Sequence, residues 1–89
     1  MTDLSRGLRN VLDVVSEKTN RSLSWSVTDT VIIQACEDNN MPAGEVFSYL
    51  LQLEGLNMIK IGAKISGADF RMINITKKGL EERSNQALR

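Results

Sequence analysis

Apolar positions along the chain follow one period in its first two thirds and another in its last third. Leu4, Leu8, Val11, Leu12 and Val15 recur every three or four residues, which predicts an amphipathic helix over about 3–18. Its opposite face, with Arg6, Arg9, Asp13 and Glu17, belongs to solvent. Residues 19–26 are polar apart from Leu23 and Trp25 and lack a helical period. That stretch reads as a loop or a short first strand, with Trp25 expected to plug the edge of the core. Ser26, three residues ahead of Asp29, has the form of a capping box with Asp in place of Glu. A second helix over about 27–38 would then bury Val27, Val31, Ile32, Ala35 and Cys36, and Asn39-Asn40 stops it. Pro42 suits a first helical turn, where its missing N–H is not needed. The third helix, about 42–54, is expected to bury Ala43, Val46, Phe47, Leu50 and Leu53. The short link between helices two and three is what a helix-turn-helix requires. A break near Gly44, making two helices of the third, is the competing count; three helices is the preferred one.

After Leu56 the period changes to two. Ile59, Ile61, Ala63 and Ile65 share one face of an extended segment. Residues 66–69 form a turn, and 70–75 return as a second strand. Leu53-Glu54-Gly55-Leu56 closes the third helix, with Gly55 expected in the left-handed conformation. Thr76 caps a last helix over about 77–88, with Gly79 at its third position. Leu80, Ala87 and Leu88 give that helix a weak apolar stripe, suited to a domain edge or to pairing with its copy in a dimer. Leu53, Glu54, Gly55 and Leu56, then Asp69 and Arg71, then Ile75, Thr76 and Gly79 resemble the second half of small prokaryotic winged-helix regulators such as the MarR and PadR families. The resemblance implies an α+β winged helix: three helices, a β-hairpin wing and a C-terminal helix. One domain over 1–89 would divide into an N-terminal helix and loop (1–25), a helix-turn-helix (26–55), the wing (56–75) and the last helix (76–89).

Eighty-nine residues supply one small core, and a domain of this size is often completed by a second copy, so a homodimer is expected. Nothing approaches the ~20 apolar residues that cross a bilayer, and the polar start MTDLSRGLRN has no signal-peptide core. The single cysteine, Cys36, lies in an apolar run and reads as a buried structural thiol. A cytoplasmic location is the expectation.

Eleven cations balance eleven acids, but not evenly along the chain. Residues 26–59 hold Asp29, Glu37, Asp38, Glu45 and Glu54 with no Lys or Arg, while 60–89 hold seven cations against three acids. The absence of histidine removes the commonest general base and metal ligand. One cysteine cannot build a cysteine-rich zinc site, the glycines do not form a phosphate loop, and the adjacent carboxylates Glu37-Asp38 and Glu81-Glu82 point apart. Neither an enzyme nor a cofactor or metal is expected. A binding module remains.

Double-stranded DNA is the first ligand to weigh. A helix-turn-helix puts its second helix in the major groove, and the outward residues there are Glu45, Ser48, Tyr49 and Gln52. Gln52 suits adenine, Glu45 the amino group of cytosine, and Ser48 a base or a phosphate. Cations supply the phosphate contacts, and here they lie on and near the wing: Lys60, Lys64, Arg71, Lys77 and Lys78. Lys77 and Lys78 oppose the dipole at a helix N-terminus by a few tenths of a kcal/mol, which favours a role outside folding. The plain alternative is a solvated rim. A protein-interaction module is the second hypothesis, using the acidic outer face of helices two and three. Tyr49 with Leu51 would then be its hot spot, unless Tyr49 packs against Trp25 or the first helix.

Overall fold

The computed structural model describes residues 5–62, 67 and 70–87, with side chains through 84. Its elements run α1 (Arg6–Lys18), β1 (Ser26–Thr28), α2 (Asp29–Glu37), α3 (Ala43–Gly55), β2 (Ile59–Ile61), β3 (Met72–Ile75) and α4 (Lys77–Ala87). The expected α+β winged helix is present: three helices, an antiparallel hairpin and a closing helix, with β1 added to the sheet. Positions 63–66, 68, 69 and 88, on which part of the predicted strands, turn and last helix fall, lie outside the described residues.

Ser5 caps α1 by accepting the Leu8 N–H at 3.3 Å. The predicted stripe is inward, with Val11, Leu12 and Val15 fully buried. The three helices of the body end alike. Met58 N–H reaches the Leu53 carbonyl and Asn57 N–H the Glu54 carbonyl at 3.0 and 2.9 Å. Arg21 and Asn20 do the same to Ser16 and Glu17, and Met41 and Asn40 to Cys36 and Glu37. These are Schellman closures with a left-handed asparagine at each, Asn20, Asn40 and Asn57, at φ 55°, 66° and 63°, and after α1 Arg21 is left-handed too, at φ 55°. Asparagine tolerates that region because its short polar side chain bonds locally. The expectation for Gly55 is therefore corrected. Gly55 is the last residue of α3, and the left-handed turn comes two residues later.

A second correction concerns Ser26. It opens β1 rather than capping α2, and Thr28 is the cap, accepting the Val31 N–H at 3.4 Å. Backbone pairing decides this: Ser26, Val27 and Thr28 lie opposite Asn74, Ile73 and Met72. The helix cannot start until the strand ends. As a result Val27 is half-buried on the sheet and Val31 is exposed. Trp25 does not plug the core; it is 52% exposed at the end of an edge strand. Ala43 and Phe47 are likewise exposed, because Val46, Leu50 and Leu53 fill the inward arc of α3. Helix α3 is continuous from Ala43, with no break at Gly44.

Strand order is β1-β3-β2, all antiparallel. Ile59 pairs with Ile75 and Ile61 with Ile73, so one sheet face joins the core while Lys60 and Asn74 lie opposite each other on the other face. Strand β3 starts at Met72 rather than at Phe70, and residues 63–65 of the predicted first strand lie outside the described residues. At the hairpin base, Thr76 N–H donates to the Met58 carbonyl at 3.1 Å. The Thr76 hydroxyl donates to the Asn57 carbonyl at 2.6 Å and accepts the Gly79 N–H at 3.1 Å. A Cβ at Gly79 would overlap the Met58 carbonyl, so α4 docks on the α3–β2 turn only through a glycine. Farther along α4, Arg83 Nε lies 3.2 Å from Asp13 of α1, as an ion pair rather than an aligned hydrogen bond.

Candidate nucleic-acid interface

Helix α3 buries Val46, Leu50 and Leu53 and turns its remaining arc to solvent. Of the four predicted readers, Glu45, Ser48 and Gln52 are exposed. Gln52 Nε2 donates to Ser48 Oγ at 3.4 Å, one turn back on the same face. Tyr49 does not point outward. It is half-buried, and its ring lies over Gly7 so closely that a Cβ there would overlap it. Its position between Val46 and Leu53 on the helix accounts for this, and it packs against the first helix. Phe47 and Leu51, assigned to the core and to a flank, are 36% and 46% exposed. One helical turn apart, they share a face with Ser48. A count of apolar residues exposes the excess: α3 carries more than one buried arc can take.

The wing cations do not form one cluster. Arg71 stands at the tip end of the hairpin, half-buried, and its backbone is clasped by α2. Asp29 N–H donates to the Arg71 carbonyl at 2.9 Å, and the Asp29 carboxylate accepts the Arg71 N–H at 3.2 Å. Nothing in the local sequence announces this pairing, since its partners are 42 residues apart. Lys60 is exposed on the outer sheet face, in a row with Asn74 and Ser26. Asn74 Nδ2 donates to Ser26 Oγ at 2.8 Å, which fixes that row. Lys77 and Lys78 are exposed at the opposite end of the hairpin, roughly 13 Å of strand away from the tip end. Lys64 lies outside the described residues.

The acidic belt of 26–59 is partly committed to structure. Asp29 holds Arg71, and the Glu54 carboxylate accepts the Ile61 N–H of β2 at 3.1 Å. Glu45, Glu37 and Asp38 stay exposed. Burial pushes the Cys36 thiol above its ordinary value, so it is a poor nucleophile. Among the described residues no three His, Cys, Asp or Glu side chains gather to hold a metal ion. No helix of the described residues is long and apolar enough to cross a membrane.

The arrangement defines a winged-helix protein: a helix-turn-helix whose second helix is presented, and a wing held beside it. Among solved structures, the zinc-responsive MarR family member ZitR of Lactococcus lactis superposes with a TM-score of 0.69 at 15% identity. The match covers 98% of this chain and 54% of that one, so the chain spans about half the length of that relative. At this identity the likeness establishes the fold. No family model matches the chain, and no curated protein matches it in sequence.

Proposed function

We propose that the chain is a cytoplasmic transcriptional regulator that binds double-stranded DNA as a homodimer, with α3 in the major groove and the wing on the backbone. The observation that carries this reading is the clasp between Asp29 and Arg71. It ties the backbone at Arg71, at the tip end of the hairpin, to the first residue of α2, and Glu54 of α3 accepts the Ile61 N–H of β2, so the wing is held against the helix-turn-helix. Exposed Glu45, Ser48 and Gln52 supply base readers, with Tyr49 supporting α3 from behind. Lys60, Lys64 and Arg71 supply phosphate contacts, and Lys77 with Lys78 add a separate, more distant pair. A dimer presents two such sets of cations to one duplex, and doubles the acidic belt with them. The relative's zinc response is not carried over, since this chain has no histidine and one cysteine.

A gel-shift titration against random duplex at low and moderate salt, beside a mass measurement of the oligomer, tests the proposal. Binding that weakens steeply with salt is the expected result. Duplex left unbound at low salt would end the DNA reading. A second reading, a partner-binding module, draws on the absence of Lys and Arg from 26–59 together with exposed Phe47 and Leu51. It predicts no duplex binding at any salt.

A further inference from the structure

Two large apolar side chains at the centre of a presented recognition helix need an occupant. Phe47 and Leu51 are exposed one turn apart on α3, while the other exposed residues of the helix are Ala43, Gly44, Ser48, Gln52, Gly55 and the acids Glu45 and Glu54, of which Glu54 is turned to the Ile61 N–H of β2. Guanine is read in the major groove chiefly by Arg or Lys on its O6 and N7. Neither residue occurs on α3. The chemistry that is present matches the other base pair. Thymine offers a C5-methyl to apolar side chains, and adenine offers N6 and N7 to the amide of Gln. Gln52 stands one turn beyond Ser48, and Ser48 is flanked by Phe47. The glycines on the same arc let the backbone approach the groove floor.

Resting on the DNA reading above, we infer that α3 recognises an A·T-rich half-site by its thymine methyls, with Phe47 and Leu51 as the methyl-reading residues and Gln52 on adenine. Apolar contact to the groove gives discrimination without charge, and the wing and its dimer copy supply the electrostatic attraction. Glu45 adds repulsion where it faces phosphate and accepts a cytosine amino group where a C·G pair falls beneath it.

The test uses the full chain and three duplexes of one length: A·T-rich, the same strand with every thymine replaced by uracil, and G·C-rich. Uracil removes the methyl and leaves the hydrogen-bonding edge and the charge unchanged. The expected result is a loss of roughly four-fold for each contacted methyl removed, with weaker binding still on the G·C-rich duplex. Phe47→Ala and Leu51→Ala should abolish the thymine-over-uracil preference while leaving the salt slope unchanged. Leu51→Ala should keep the parent's thermal midpoint, and Phe47→Ala, at a side chain 36% exposed, should lower it modestly without unfolding the chain. Equal affinity for the thymine and uracil duplexes would overturn the inference and leave the DNA reading standing. Failure to bind any of the three at low salt would overturn both.

Discussion

The two ends of the β2–β3 hairpin are built from different materials. At the base, Thr76, Gly79, Met58 and Ile75 lock the strands to α4 and to the end of α3 through short backbone contacts and a position with no room for a side chain. At the tip end, the hairpin is tied by one aspartate to the backbone of Arg71, and the surroundings are polar and half open. Packing without room for a side chain holds the base, beside the exposed Lys77 and Lys78, whereas Asp29 and the pairing of Thr28 with Met72 hold the tip end beside Arg71.

The largest expected effect lies at the base. Gly79→Ala should lower stability by about 3 kcal/mol, because the added carbon meets a main-chain carbonyl that cannot step aside. A urea midpoint indistinguishable from the parent's would show that the base is not the anchor. Next is the clasp. Asp29→Ala should reduce stability by about 1 kcal/mol by leaving the Arg71 N–H unpaired and should also weaken duplex binding, whereas Asp29→Asn, which keeps an accepting oxygen, should recover most of both. Affinity unchanged in Asp29→Ala would mean that wing and recognition helix act independently. Gly55→Ala is expected to gain up to about 0.7 kcal/mol, since the residue is helical and alanine is the better helix former. A loss read from the thermal midpoint would restore the left-handed assignment. Smallest in stability, and largest in salt response, is Lys60→Ala with Lys64→Ala and Arg71→Ala. Folding should be untouched, while the slope of log affinity against log salt falls by roughly one per cation. Lys77→Ala with Lys78→Ala should cost less affinity than this triple and should raise stability by a few tenths of a kcal/mol.

The periodic parts of the fold were legible in the sequence, and the parts set by distant partners were not. The stripe of α1 and the inward residues Val46, Leu50 and Leu53 follow from spacing alone, as does the change of period that marks the hairpin. Thr76 and Gly79 were visible as a cap and a third helical position, but the reason for the glycine, the Met58 carbonyl, needs the folded chain. At Ser26 a capping pattern and a strand start use the same residues, and only pairing with β3 decides between them. The tether from Asp29 to Arg71 likewise exists only once the strands are paired. Within the candidate site, Glu45, Ser48 and Gln52 followed from the helix period. Tyr49 and Phe47 exchanged places because an apolar count cannot say which flank of a helix the neighbouring helix covers.

The carboxylate of Glu54 on the Ile61 amide has a bearing on assembly. Both outer ribbons of the sheet are three residues long, and one already has a donor occupied by the chain's own acid. Such short, blunted rims resist stacking of sheets from molecule to molecule. The two rims are thereby poor templates for open-ended β polymers.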